Sequence, residues 1–453
     1  MDSFLHIGFD DTDSTQRGCT TYIAALLIEA LRRLDAEFVD YPNLVRLNPN
    51  VPWKTRGNGA LCLRVKIDAG RRSRLVERVV ETVAAEADLA FPGTDPGIVL
   101  YEGKDIPQAL TDFARNTLHR VVRKEEAVRL ITRFHCESFC FKRGRGLIGA
   151  VAAIGEPLFE DHTYELIAYR CKSSRGSVRQ VDEGSVFEMD EQTRGLTFSN
   201  VDYGAKRVLI TPRGPDPVLL GIRGEHPDGV KTAFGLLTIH EDVERWVIFR
   251  TNQGTDAHLI DRSGIRHVRP HSAVVLRGSV IAGPRPIPGR HVIVTIGDEG
   301  SCIDCAAYEP TGKFRNVVRR LVPGDVVEVA GGVRPASPTH PLTLNLEKLT
   351  VLKLAPSTLV RNPVCHLCGK RMESMGTGKG FRCKKCGRRD RGARKIVVPV
   401  ERALSEGLYL PPPCAHRHLM KPRSRYGLEK HVNTFPTPLP DFWGLGNYVP
   451  PAS

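Results

Sequence analysis

Hydrophobic positions switch repeatedly between strand and helix spacing along the first hundred residues. Residues 4–10 read as a strand, and 20–34 (TTYIAALLIEALRRL) place apolar residues at helical intervals. Strand-like runs follow at 44–48 and 60–67, then a helical pattern at 73–89 and a short strand at 97–100. This β-α-β-β-α-β order is ferredoxin-like. Residues 105–132 read as helical, and 134–262 are again mixed, helix-like at 152–154 and partly alternating at 161–170. From 268 the pattern changes. Short β-rich runs (273–281, 291–296, 325–333, 347–354) alternate with Gly/Pro turns around one helical stretch at 316–321, which predicts an OB-fold barrel.

The expected fold class is a multidomain α+β chain: a ferredoxin-like, kinase-type N-terminal half, an OB-fold β-barrel and a four-cysteine zinc ribbon. The expected domains are 1–133 (ATP-binding), 134–265 (a second α+β catalytic region, free to interleave with the first), 268–357 (OB-fold), 358–400 (zinc ribbon) and 401–453. That last part is a basic, Pro-rich tail with little sign of a core of its own.

The 453-residue length fits about three or four domains. No apolar run reaches the roughly 18 residues of a membrane span, and the N-terminus lacks the basic region of a secretory signal. The expected compartment is the cytoplasm, where the 12 cysteines would not default to disulfides. The net charge of +14 is unevenly spread: about −3 over 1–260 and about +17 over 261–453, of which about +12 lies in 361–453. A near-neutral front and a basic rear suggest a catalytic part joined to a polyanion-binding part.

Asp10-Asp11-Thr12-Asp13-Ser14 crowds three carboxylates into four positions at a predicted strand end. Each carboxylate raises the proton affinity of its neighbours, and a divalent cation relieves that repulsion. Asp10, Asp11 and Asp13 are therefore candidate Mg2+-nucleotide ligands. The competing reading is a solvated turn with an Asp cap. In the loop Lys54-Thr55-Arg56-Gly57-Asn58-Gly59, the Lys54 and Arg56 side chains and the amides of Gly57, Asn58 and Gly59 could cradle phosphate. It is not a Walker A sequence, and a plain β-turn is the alternative.

Cys365-x2-Cys368 and Cys383-x2-Cys386, each followed by glycine, have the spacing of a structural zinc ribbon. Basic residues crowd the second knuckle; Lys384, Lys385, Arg388 and Arg389, with Arg417 in the tail, are candidate RNA-phosphate contacts. Cys302-x2-Cys305 lacks a second pair and reads as structural. Cys414, His416 and His418 suit phosphate or stacking contacts better than metal, because no further ligands lie nearby.

Together these motifs resemble the archaeal tRNA-isoleucine 2-agmatinylcytidine synthetase family. The carriers are 8–14 with 18–22, 54–59, 144–150, 161–170, 214–225 and 251–256, followed by the barrel and ribbon in the family's order. Phe9 stands where some members have an aliphatic residue. The resemblance implies an ATP-dependent ligase acting on the wobble cytidine of tRNA-Ile with a CAU anticodon. The C2 oxygen is phosphorylated, agmatine displaces the phosphate, and ATP is consumed to AMP.

The resemblance also implies that Thr20 is phosphorylated by the enzyme itself, although its position alone favours a helix cap. Ser14 joins the ATP-contacting set. Agmatine, an amine with a guanidinium, calls for carboxylates. Asp202, Asp216, Glu225 and Asp256 in Gly/Pro/Asn-rich turns are candidates. His162 and Asp161 could serve as general base, though packing or surface roles suit them better. The implied cofactors are ATP, Mg2+ and structural Zn2+; no obligatory protein partner is expected. Competing readings are another ATP-dependent RNA kinase or ligase, and a non-catalytic OB-fold/zinc-ribbon binding protein.

Overall fold

The computed structural model describes residues 2–261 and 264–448. It is a mixed α/β structure built on one eleven-stranded sheet. The path of the sheet runs Glu137–Cys140, Gly97–Glu102, Asp2–Asp10, Gly59–Asp68, Asn43–Arg46, Val243–Thr251, Thr163–Arg170, Val218–Gly224 and Thr197–Phe198. Residues 2–140 supply one wing and residues 163–251 the other. They meet where Asn43–Arg46 pairs in parallel with Val243–Thr251, in the register Arg250↔Asn43 and Thr251↔Leu44.

The helix Thr20–Arg32 forms as its pattern predicts. Ile23, Leu27, Ile28 and Leu31 make one buried stripe against the sheet. The single helical stretch expected over 105–132 is instead two helices, Gln108–His119 and Lys124–Arg133. Arg120 turns extended (φ −144°), and the Glu126 carboxylate accepts from the Arg123 N–H at 2.9 Å to start the second helix. The helix Leu147–Gly155 then lies directly across the back of the first strand. Small residues allow this: a Cβ on Gly8 would overlap the Ala150 carbonyl, and one on Gly97 would overlap the Leu147 amide.

Five strands (Ala273–Ile287, His291–Gly297, Cys302–Ala307, Thr343–Lys353, Val326–Arg334) close a ring. The last pairs back onto the first from Ala273↔Gly332 to Ser279↔Val326. Val274, Leu276, Val294, Val329 and Leu349 fill its interior. Cys302 is exposed and Cys305 buried on the same strand, so they do not form a half-site. Beyond it, two short sheets surround a four-residue core of Cys365, Met372, Phe381 and Cys383.

The tail packs on the large sheet. Trp443–Leu445 pairs with Val243–Thr251. Phe442 is fully buried, its ring 5.6 Å from that of Phe38 and 6.0 Å from that of Tyr41. Arg425 is enclosed by Asp161 (2.9 Å) and Glu225 (2.5 Å).

His6 on the first strand is fully buried and donates from Nε2 to the Gly103 carbonyl at 2.9 Å. Burial, with Arg64 close by, pushes its pKa down to about 3. Below about pH 6.5 the unfolded chain takes up a proton that the folded chain refuses, so this stability is complete above that pH and lost in acid. The stability difference between about pH 7 and about pH 5.5, read by urea unfolding, should be ~1.3 kcal/mol smaller in His6→Gln than in the parent. Equal pH dependence would contradict this.

Candidate active site

A cavity of about 510 Å³ opens where the end of the first strand, the loop at 51–59 and the strands Thr163–Arg170 and Val218–Gly224 converge. Its wall includes Asp10, Asp11, Asp13, Thr20, Lys54, Arg56, Gly57, Asn58, Gly59 and Asp216, so most of the expected site residues share one space.

The acidic end is held by specific bonds. Asp11 takes a positive φ of 60° and receives a bidentate Arg145 guanidinium, Nε to Oδ2 at 2.9 Å and Nη2 to Oδ1 at 3.0 Å. The Thr55 hydroxyl donates to Asp13 at 2.7 Å, and Arg56 stands 3.7 Å from the same carboxylate. No salt bridge reaches Asp10 among the described residues. Its carboxylate rests against Gly149, where a Cβ would collide with it. Burial, and then the charge of Asp11, hold Asp10 well above the ordinary carboxylate range. Burial pushes Asp11 up to about 6 against the pull of Arg145, and raises Asp13 against Thr55 and Arg56. Each of the three carboxylates offers a hard oxygen donor of the kind Mg2+ takes, but Arg145 and Arg56 already face two of them, and among the described residues only Cys365, Cys368, Cys383 and Cys386 gather three or more ligand atoms within 4.8 Å. This set is not a solvated turn.

Thr20 opens the helix Thr20–Arg32, and its hydroxyl accepts from that of Thr12 at 3.0 Å. The cap position belongs to Cys19, so the capping reading of Thr20 does not hold. A buried hydroxyl at a helix N-terminus, facing a cavity, sits where an anion is favoured. The Lys54 ammonium folds over the loop onto the Arg56 carbonyl at 2.9 Å. Arg56 (φ 40°) and Asn58 (φ 50°) are both left-handed, and the Asn58 amide anchors the loop on the Asn48 carbonyl at 2.8 Å. Asn58 therefore shapes the cradle.

Other expected residues lie elsewhere. Ser14 is fully buried; its hydroxyl donates to Asp88 at 2.7 Å and accepts from the Gln16 amide, so it shapes the turn. Of the four proposed agmatine carboxylates, Asp216 alone lines the cavity. Asp202 accepts from the Cys414 and Ala205 amides. Glu225 is buried against Arg425 and Lys430, and Asp256 is bound by Lys348 and the Lys421 amide. These three are structural links to the tail and barrel. Asp161 pairs with Arg425, and His162 hydrogen-bonds the Glu160 carbonyl at 3.0 Å; neither lines the cavity. Arg417 bridges Asn50 at 3.0 Å and Glu347 at 3.3 Å.

Sequence reasoning assigned no site role to Arg145, Arg46, Glu165 or Arg223, and gave His418 only as a phosphate or stacking contact. The last four of these form the cavity's other end. Arg223 Nε donates to Glu165 at 3.1 Å, and Arg46 approaches Glu165 at 3.9 Å. His418 sits 2.8 Å from the Gln253 side-chain oxygen. Arg145, Glu165 and Arg223 fall inside the motifs 144–150, 161–170 and 214–225, which was the available signal.

The sulfurs of Cys365, Cys368, Cys383 and Cys386 lie within 4.8 Å of one another. Tetrahedral zinc with Zn–S of about 2.3 Å places sulfurs about 3.8 Å apart. Pairs at 3.4, 3.6 and 3.8 Å fit that geometry. Gly369 (φ 68°) and Gly387 (φ 75°) close the two knuckles, each N–H returning to the first cysteine's carbonyl. Lys384, Lys385, Arg388 and Arg389 are exposed on this lobe.

Gly149→Ala should displace the Asp10 carboxylate. Calorimetric affinity for Mg2+-ATP should then fall at least roughly tenfold, equivalent to about 1.4 kcal/mol. Unchanged affinity would remove Asp10 from the metal set.

Family models match three stretches: the TiaS TCKD domain at 6–76, the TiaS FLD domain at 144–258 and the TiaS C-terminal zinc ribbon domain at 362–404. Curated TiaS proteins from Pyrococcus horikoshii and Methanosarcina mazei, 2-agmatinylcytidine synthetases of the second isoleucine tRNA, are 45% and 43% identical. Each alignment covers 92% of this chain, and respectively 96% and 97% of the relative. A solved complex of TiaS with that tRNA and ATP superposes with a TM-score of 0.85 at 40% identity, covering 96% of this chain and all of the other. A complex of TiaS with the same tRNA, AMPCPP and agmatine gives 0.84 at 37% over the same shares. The chain belongs to the TiaS family of tRNA-isoleucine 2-agmatinylcytidine synthetases.

Proposed function

We propose that the chain is an ATP-dependent ligase that converts the wobble cytidine of tRNA-Ile with a CAU anticodon to 2-agmatinylcytidine. The single observation that carries this reading is one cavity holding the Asp10/Asp11/Asp13 cluster, the 54–59 loop and Thr20. Family membership supplies the substrates, since solved relatives are complexes with the isoleucine tRNA, with ATP or its analogue, and with agmatine.

The chemistry follows from charge placement. An amide-like oxygen leaves poorly, and phosphorylation makes it a good leaving group. Phosphoryl transfer depends mainly on positioning and charge neutralisation. Asp10, Asp11 and Asp13 would hold Mg2+, which when bound neutralises phosphate oxygens. Lys54, Arg56 and the amides of Gly57–Gly59 receive the remaining negative charge. Thr20 offers a hydroxyl at a helix N-terminus as phosphoacceptor. Asp216 faces the cavity as a partner for a cationic amine. The target base reaches this space by leaving its stack, which costs less in an anticodon loop than in a duplex.

The same reading names the parts. The N-terminal strands order as Gly97–Glu102, Asp2–Asp10, Gly59–Asp68 and Asn43–Arg46, antiparallel throughout, which supports a ferredoxin-like unit. The closed five-stranded ring, with Cys302–Ala307 and Thr343–Lys353 parallel, supports an OB-fold over 268–357. Boundaries at 1–133, 134–265, 358–400 and 401–453 complete the division. No helix among the described residues is long and apolar enough to cross a membrane; the cytoplasm, which supplies ATP and tRNA, is the proposed compartment.

Incubating the protein with tRNA transcript, Mg2+-ATP and labelled agmatine tests the assignment. Agmatine should enter the RNA only when ATP is present. RNA phosphorylation without amine incorporation would make it another RNA kinase, and tight binding without ATP turnover a binding module. Thr20→Ala should abolish ³²P label on the protein; full retention would remove Thr20 as phosphoacceptor.

The exposed cations of the ribbon are proposed phosphate contacts. Because the tail completes the main core, neutralising side chains tests them better than truncation. Replacing Lys384, Lys385, Arg388 and Arg389 by Gln should reduce the slope of log affinity against log salt by up to about three units. An unchanged slope would place RNA elsewhere.

A further inference from the structure

We propose that His418, delivered by the C-terminal tail, is the proton acceptor for the attacking amine, presenting Nε2 as a bare lone pair into the cavity. The inference rests on the ligase reading above. His418 is the only histidine among the described residues that line the cavity. Its tautomer is set through Gln253. The Gln253 side-chain nitrogen donates to Glu165, which fixes the Gln253 oxygen as the atom facing His418 Nδ1 at 2.8 Å. That oxygen only accepts, so Nδ1 carries the proton and Nε2 does not. The Arg223 Nη2, which can only donate, also approaches Nδ1, at 3.2 Å, and competes for that nitrogen; the shorter contact to the Gln253 oxygen, itself anchored through Glu165, decides the tautomer. The edge of the ring bearing Nε2 and Cδ2 lies against Gly57, where a Cβ would run into both atoms. Glycine there lets an imidazole border the phosphate loop directly.

The cavity's other acceptors are engaged. Glu165 holds Arg46, Arg223 and Gln253, Asp216 faces Arg56 and Arg179, and the Asp10/Asp11/Asp13 cluster suits metal. The groups facing His418 are Arg46, Arg223 and Lys54, opposed by Glu165 through Gln253. Arg46, burial, Arg223 and Lys54 keep the imidazole neutral in the free protein. A phosphate bound at the loop offsets those cations and so raises the proton affinity of the imidazole in the complex. In the step itself, the amine nitrogen bonds to C2 of the base. The C2–O bond breaks, phosphate leaves with the electron pair, and one proton of the resulting ammonium passes to Nε2. The imidazolium then returns it to solvent or to the departing phosphate.

His418→Gln keeps a polar group of similar reach but cannot take the proton. With tRNA transcript, Mg2+-ATP and labelled agmatine, H418Q should slow amine incorporation by roughly 10²–10⁴-fold. ATP-dependent phosphoryl transfer should persist and the KM for ATP should change little. Incorporation at the parent rate overturns the proposal. So does an equal loss of phosphoryl transfer and incorporation, which marks a structural role. Absence of incorporation by the parent protein overturns the ligase reading, and this proposal with it. Nitrogen NMR of the histidine-labelled full chain, with H418Q to assign the signal, reads the tautomer directly. A protonated Nδ1 and bare Nε2 are expected, and the reverse tautomer overturns the relay.

Discussion

Everything in the catalytic half depends on how closely the helix Leu147–Gly155 approaches the first strand. Backbone meets backbone there, because Gly8, Gly97, Gly146 and Gly149 leave no Cβ in the gap. That approach does two things at once. It buries a nearly all-apolar helix, with Ala150, Val151, Ala152, Ala153 and Ile154 essentially inaccessible, between the sheet and the helix Gln108–His119. It also carries Arg145, just before the helix, to Asp11, 134 residues earlier. The acidic cluster keeps its shape because packing, rather than a local turn, brings its guanidinium partner into place. Wider spacing would leave the buried Asp11 without its guanidinium and Asp10 without the Gly149 surface it rests against.

The cavity is electrically divided. One end gathers Asp10, Asp11 and Asp13, with Arg145 and Arg56 as their partners; the other places Arg46 and Arg223 on Glu165. A polyphosphate with its cation spans such a gradient naturally, since each end neutralises the complementary part of the ligand. The basic end is assembled from both wings of the sheet, with Arg46 and Arg223 separated along the chain but sharing one glutamate. The parallel junction between Asn43–Arg46 and Val243–Thr251 is what joins the two wings that carry them.

Local features were legible in the sequence and long-range ones were not. The first strand, the helix at Thr20 and the four-cysteine ribbon follow from periodicity and spacing, which are properties of neighbouring residues. The Asp cluster and the glycine loop stood out because crowded charge and glycine runs need a reason, and the structure brings both to one cavity. Asp202, Glu225 and Asp256 misled because turn composition is the same whether a carboxylate faces a ligand or a buried arginine. Arg425, which claims Glu225, lies 200 residues further on. The break at 120–123 escaped because the helical pattern continues on both sides, while the Glu126 cap is a matter of backbone geometry. His418 stood in a Pro-rich stretch with no periodicity at all, and its place beside the phosphate loop emerges only when the tail is seen to return to the sheet.

The return of the tail couples the cavity to the main core. His418 borders the phosphate loop, Phe442 plugs the main core, and Trp443–Leu445 extends the sheet beside Val243–Thr251. These contacts join residues 418–445 to the loop at 54–59, to Phe38 and to Val243–Thr251, across sequence separations that are slow to close. One segment therefore walls the cavity and seals the main core, so loosening the tail opens both together.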